Sequence, residues 1–262
     1  MPRIGLAIAV WIALCLPGWA QMPFVPPESY NRTRPDFGNT LPLCVIPNSA
    51  TLAQDRAVAE RIAQALLLEP AIIEMDVDMD MLDAEGIWPA VFLHLAEQCV
   101  GVLGVQLVPG TMIPDWLTIT RPYFSAPYVL VDLKGDAGSL AALPPDARLG
   151  VPIRTALDNE VLNLIAAGGD FGRLRRRPYD RPETLDLLIA ADALDAAIVW
   201  APHLDTGLLA QREIVPQSVA PLGEDTRQLG IVLRSQDEML RTLIDDAIAA
   251  LEAEGALTLA PQ

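Results

Sequence analysis

ADALDAAIVWAP, residues 191–202, is the stretch that decides the fold. Its first residues end an apolar-periodic helix. The rest is an apolar run too short for a helix, which reads as a buried strand. The same hand-over occurs earlier in AEQCVGVLG, residues 96–104. Working outward from these two points, strands and helices alternate. In the first unit LPLCVIP (41–47) is a short strand, followed by a helix from about Leu52 to Leu67 with Val58, Ile62, Ala65 and Leu66 on one face. AIIEMDVDM (71–79) is the next strand, then come a helix over Trp88–Gln98 and the buried strand VGVLGVQL (100–107).

The second unit repeats the pattern. ARLGVPI (147–153) is a strand, and the helix Thr155–Ala167 is stopped by Gly168 and Gly169. GRLRRRPY (172–179) is a polar strand, and Asp180 caps the next helix with Glu183 completing a capping box. That helix leads into DAAIVWAP. After LGIVL (229–233) the chain ends in a helix opened by Ser235 and Glu238, with Leu240, Leu243, Ile244, Ala247 and Leu251 as its apolar stripe and Gly255 as its stop. Strand–helix–strand succession implies parallel pairing with right-handed crossovers, an α/β architecture. No hydrophilic linker separates the units. YVLVDL (128–133) and QLGIVL (228–233) join them instead, and a two-strand joint behaves as a hinge with a ligand cleft between lobes. The expected division is 41–128 plus 233–262 for lobe 1, and 129–232, with the hinge strands, for lobe 2.

Residues 1–20, MPRIGLAIAVWIALCLPGWA, have the layout of a secretory signal peptide cleaved between Ala20 and Gln21. The apolar run Ile4–Leu16 reaches about 20 Å as a helix, short of the ~30 Å bilayer core that an anchor must cross. The Pro-rich residues 21–40 read as an extended leader, and the mature chain is expected in the periplasm as a monomer. Without Arg3 it carries 17 basic and 34 acidic residues, a balance that excludes nucleic acid as a partner. Cys44 and Cys99 remain after cleavage. In an oxidising compartment a disulfide is favoured over two free core thiols. The two cysteines do not make a zinc site with His94 and His203. EMDVDMDMLDAEG (74–86) has Asp76, Asp78 and Asp80 at calcium-loop spacing. However, Met81 and Ile87 stand where glycine and glutamate are required, so alternating acids on a half-exposed strand explain it better. No nucleophile lies beside either histidine, so no catalytic residue, metal or cofactor is expected and the chain reads as a non-enzyme. Arg173, Arg175, Arg176 and Arg177 read as a solvated edge, with a docking patch as the alternative.

TITRPYFSAPYVLV (118–131), LDAAIVWAP (194–202) and LGIVLRSQDEMLRTLIDDAIAALEAEG (229–255) together resemble the exported solute-binding proteins of family 3, which capture amino acids for ABC transporters. The resemblance runs from Leu41 to Leu257 and implies a two-lobed periplasmic binding protein of type II with a two-strand hinge. The cysteine of the first strand, the cysteine of the Glu-Gln-Cys turn, the Thr-Arg-Pro-Tyr run and the Val-Trp-Ala-Pro segment are similar to the branch associated with PQQ-dependent methanol dehydrogenases. That branch implies an accessory or maturation partner of a quinoprotein alcohol dehydrogenase. The alternative is a transporter receptor for a small solute such as an amino acid, amine or organic acid, with an ABC permease as partner.

The departures from the family pattern bear on this choice. Ile113 stands where amino-acid binders carry a carboxylate-clamping arginine, Val100 where an aspartate is usual, and PNSATLA (47–53) lacks the stacking aromatic. Asp195 is the counterpart of the amine-binding aspartate, with a turn or capping role as the alternative. Arg154 and Thr155 open a helix where an anion is favoured, or else form an ordinary capped start. The candidate ligand- or partner-binding residues are therefore Asn48, Thr120, Arg121, Tyr123, Arg154, Thr155, Asp195 and Trp200.

Overall fold

The computed structural model describes residues 34–77, 87–107, 113–135, 137–153, 155–223 and 225–257. The signal segment, Asp78, Asp80 and Arg154 lie outside the described residues, as does most of the leader. The first unit comprises β1 (Thr40–Val45), α1 (Leu52–Ala65), β2 (Glu69–Glu74), α2 (Trp88–Glu97) and β3 (Gly101–Leu107). β4 (Leu117–Ile119) and β5 (Phe124–Asp132) follow. The second unit comprises β6 (Arg148–Pro152), α3 (Ala156–Ala167), β7 (Arg175–Tyr179), α4 (Pro182–Ala190) and β8 (Ala196–Trp200), and the chain returns through β9 (Thr226–Arg234) and α5 (Glu238–Ala253).

The two units are built alike. The sheet order is β2-β1-β3-β9-β5-β8-β6-β7, with β4 also paired to β9. β1 is parallel to β2 and β3, and β6 is parallel to β7 and β8. Each parallel trio is then completed by one antiparallel strand, β9 beside β3 and β5 beside β8. β9 and β5 in turn pair with each other through Phe124–Pro127 and Thr226–Leu229. The chain thus passes between lobes in two adjacent antiparallel strands, as the two β-like segments of the sequence imply. β9 pairs with β3 from Gln228 onward.

Burial explains the helices. In α1 the enclosed residues are Asp55, Val58, Ala59, Ile62 and Ala63, an i, i+3, i+4, i+7, i+8 stripe. Val58 and Ile62 lie on it as expected, whereas Ala65 faces solvent. In α5 the buried positions are Ile244, Ala247, Ile248 and Leu251. Leu243 is 48% exposed and stands off this face, and Ile248 takes its place in the stripe. The capping box expected for α4 is absent. Arg181 occupies the N-cap position with Pro182 after it, and Asp180 accepts from the Thr184 hydroxyl at 2.8 Å. Proline's fixed φ suits the first helical turn without a side-chain cap.

Cys44 on β1 and Cys99 just before β3 form a disulfide, with Cα atoms 5.8 Å apart and both residues fully buried. Parallel pairing of β1 with β3, Leu43 opposite Gly101, brings them within bonding reach. The bridge lies in a hydrophobic cluster with Met75, Val91, Leu95 and Val102, on one face of the lobe 1 sheet. Among the described residues no helix is long and apolar enough to cross a membrane.

Candidate functional site

In an open α/β sheet ligands bind beyond the carboxyl ends of the parallel strands. Here both sets of carboxyl ends converge on one place. At the end of β3, Leu107 is opposite Gln228 of β9, and at the end of β8, Trp200 is opposite Tyr128 of β5. Gln228 lies within the stretch where β5 and β9 pair with each other, and Tyr128 directly follows it. The loop after β1 carries Asn48, in the left-handed region at φ 56°, followed by Ser49 and Thr51. The turn after β6 carries Thr155, whose hydroxyl donates to the Pro152 carbonyl at 2.8 Å and accepts from the Asp158 N–H at 3.2 Å. Thr155 is therefore the N-cap of α3, an arrangement that satisfies one exposed N–H.

The floor between the lobes is aromatic. Trp200 meets Phe124 edge-on with ring centroids 6.0 Å apart, and its indole N–H donates to the Ala126 carbonyl at 3.1 Å. The guanidinium carbon of Arg227 stands 4.6 Å over the Trp200 ring. The His203 ring lies 5.4 Å from the same indole at 72°. Burial, and then the Arg227 charge, pull the His203 imidazole down to about 4, so it is neutral at physiological pH. Of this group sequence reasoning singled out Trp200 alone. Arg227 had a legible signal as a cation just ahead of the apolar run of a hinge strand.

Thr120, Arg121 and Tyr123 are engaged within lobe 1. Thr120 is buried and closes the β4–β9 junction. Its N–H donates to Ile231 O, and its hydroxyl accepts from Ile231 N and donates to Arg121 O. Arg121 turns to α5, its amide donating to Asp245 at 2.7 Å and its guanidinium bonding Glu252. Tyr123 has no exposed surface. Its hydroxyl donates to Asp55 at 2.7 Å and accepts from the Gly104 N–H at 2.7 Å. Asp55, fully buried, takes a second hydrogen bond from Thr51 at 3.0 Å. Desolvation outweighs these two bonds and lifts its carboxyl to about 6. Gly104, at φ +87°, lets β3 come this close, since a Cβ there would stand 3.3 Å from an Asp55 oxygen. A glycine within an apolar strand signals such an approach, and a polar residue on an apolar helix stripe signals a partner.

Asp195 lies at the other end of β8 from Trp200, just before the strand begins. Its carboxylate grips Arg148 through Nη2 at 2.6 Å and Nε at 3.1 Å, and also accepts the Arg148 N–H at 2.7 Å. Those hydrogen bonds hold its pKa at about 2. Placed there, Asp195 fixes the entry of β6 and β8. Asp195→Asn is expected to cost about 1 kcal/mol at neutral pH, a modest figure because the pair is partly solvated. The contribution is present above the unfolded value near 3.8 and is lost as pH falls toward about 2. Urea denaturation at pH 7 and pH 2.5 checks this: the deficit at pH 7 should shrink markedly at pH 2.5.

Ile113 is 44% exposed. Arg173 pairs with Asp146, and Arg176 holds Asp158 through Nε and Nη2. Two of the four arginines of that edge are thereby engaged locally.

No protein-family model matches this chain, and no curated protein sequence matches it. Solved structures do. An ancestral cationic amino acid solute-binding protein, AncCDT-1, aligns over 83% of this chain and 91% of its own at 16% identity, with a TM-score of 0.58. The VFT2 domain of BvgS from Bordetella pertussis aligns over 83% and 90% at 13% identity, with a TM-score of 0.57. An amino acid ABC transporter substrate-binding protein from Streptococcus pneumoniae, bound to L-arginine, aligns over 83% and 90% at 14% identity, with a TM-score of 0.52. These likenesses establish the fold, that of a two-lobed, Venus-flytrap periplasmic binding protein of type II.

Proposed function

We propose that this chain is an exported solute receptor that closes its two lobes on a small molecule, an amino acid or organic acid, and presents it to an ABC permease. One observation carries the reading. The carboxyl ends of both parallel trios converge on the paired hinge strands β5 and β9, where Trp200 and Arg227 stand. A hinge with an aromatic and a cationic group at its floor suits capture of a small solute by lobe closure. The solved structures of this fold include proteins described as amino acid-binding and arginine-binding, which agrees with the class.

The reading as an accessory of a PQQ-dependent dehydrogenase drew on Cys44, Cys99, the Thr-Arg-Pro-Tyr run, the Val-Trp-Ala-Pro segment and the absence of a carboxylate arginine at Ile113. The cysteines and the Thr-Arg-Pro-Tyr run serve the fold internally. The cysteines bridge β1 to β3, Thr120 closes a ladder and Tyr123 serves Asp55. That weighs toward the receptor. Turnover is not proposed, although one neighbour is described as a precursor of cyclohexadienyl dehydratase. The carboxyl raised to about 6, Asp55, is held by the Tyr123 and Thr51 hydroxyls and serves the fold.

Thermal unfolding of the mature protein against panels of amino acids, amines and organic acids tests the proposal. A true ligand at about 100 times its Kd should add about 2.7 kcal/mol of stability. The same ligand should reduce the radius of gyration as the lobes close. If no compound in any panel moves the unfolding midpoint, and co-purification with a quinoprotein dehydrogenase succeeds, the receptor reading is wrong.

A further inference from the structure

The paired hinge strands carry a cation for which the described residues supply no counter-charge. Arg227 sits on β9 opposite Ala126 of β5, its guanidinium over Trp200 and beside the Tyr128 hydroxyl. Its Nε is enclosed and has no hydrogen-bond partner among the described residues. Arg34, Arg121, Arg148, Arg176 and Arg241, by contrast, each hold a carboxylate. The chain has 34 acidic residues against 18 basic ones, so carboxylates are not scarce. An enclosed charge is costly unless it is paired, and pairing is the rule for buried arginine. Beside it, the Nδ1 of the neutral His203 is likewise enclosed without a partner among the described residues. Two unpartnered nitrogens thus flank one indole ring at the point where both lobes present their strand ends.

We propose that Arg227 and His203, set around Trp200, form the anion subsite of the cleft and take the carboxylate of a small organic monoanion, with its apolar body against the aromatic rings. This rests on the receptor reading above. The charge argues for a monoanion, since one guanidinium neutralises one negative charge. The shape argues for a carboxylate: the guanidinium is a planar fork, and its partnerless Nε lies on the edge that matches two coplanar oxygens. Trp200, Phe124 and Tyr128 are themselves buried around the guanidinium, so a solute must part them to enter. Asp195, the expected ammonium partner, is bound to Arg148 at the far end of β8, so it places no demand for an amine. Simple monocarboxylates should therefore bind at least as well as amino acids of the same side chain.

Calorimetric titration of the mature protein with acetate, butyrate, benzoate, alanine, phenylalanine and inorganic phosphate tests this. The expected result is that a monocarboxylate binds and phosphate does not. Arg227→Met should weaken that binding by at least roughly 100-fold. Its unliganded unfolding midpoint should not fall, because the variant removes an unpaired enclosed charge. Arg227→Lys keeps the charge but loses the planar fork, and should fall between the two. Wild-type protein gives an independent reading by NMR, since the sequence contains only His94 and His203. Bound carboxylate offsets the Arg227 charge, so the His203 titration should move upward from about 4. Equal binding by Arg227→Met, with a still His203 resonance, would overturn the subsite and leave the receptor standing. Binding of amino acids alone, lost in Arg227→Met, would overturn the monoanion class. If none of the six probes binds while an amine or another solute does, the subsite falls and the receptor stands. If no solute of any class binds, both fall.

Discussion

Serine at both Cys44 and Cys99 is expected to lower the unfolding free energy by about 4 kcal/mol. The bridge closes a loop with a sequence separation of 55, and cross-linking a loop of that length removes this much chain entropy from the unfolded ensemble. Both residues are fully buried, so the paired substitution also leaves two hydroxyls in an apolar cluster. For a chain of this size the loss corresponds to a fall in Tm of about 10 °C. The wild-type protein with excess reductant should reproduce most of it. Guanidinium titration of the oxidised, reduced and substituted forms makes the measurement. A difference below about 1 kcal/mol would mean that the bridge contributes little. Because it ties β1 to β3, the weakened form should lose protection from hydrogen exchange first in lobe 1, with β6–β8 changing later.

The second large effect is expected from Tyr123→Phe. One hydroxyl satisfies both the Gly104 N–H and an Asp55 oxygen in a fully enclosed place. Its removal strands a donor and half of a carboxylate, and each orphaned group costs about 1–3 kcal/mol. The loss should depend on pH, and the sign follows from Asp55. Its folded pKa, about 6, lies above the unfolded value, so its favourable contribution is full below the unfolded value and is lost as pH rises through about 6. The Tyr123 hydrogen bond is one of the influences that lower this pKa, so the substitution raises it further. Tyr123→Phe should therefore lose about 3 kcal/mol at pH 8 and distinctly less at pH 5. Denaturation curves at the two pH values decide it. An equal loss at both would mean that the carboxyl does not change state across that range.

The architecture was readable because burial repeats in the sequence. A strand buried on both faces must be a continuous apolar run, and DAAIVW and VGVLG are such runs at equivalent places in the two units. The cysteine bridge was readable for a related reason, since parallel β1 and β3 leave their residues side by side. The site was less legible. Asp195 and Trp200 are near neighbours in sequence, yet β8 separates them by its whole length, and a one-dimensional reading does not say which end faces the hinge. Tyr123 looked available because it belongs to the Thr-Arg-Pro-Tyr run that resembles the cleft edge of the binding proteins. Its partner, Asp55, lies far away in sequence on a helix stripe otherwise made of apolar residues. Arg227 was missed because its importance lies in what does not pair with it.

The position of β9 has a consequence for how the molecule is made. Lobe 1 has its first three parallel-unit strands early, but the strand that covers the free edge of β3 comes last, after all of lobe 2. A chain made amino-terminus first therefore has lobe 1 unfinished and the β3 edge bare until Thr226–Arg234 arrives. Lobe 2 meets no such delay, since β5 precedes β6, β7 and β8 in the chain. The second half to be synthesised is the first that can be completed, and the amino-terminal half cannot settle into a finished shape before synthesis is nearly over.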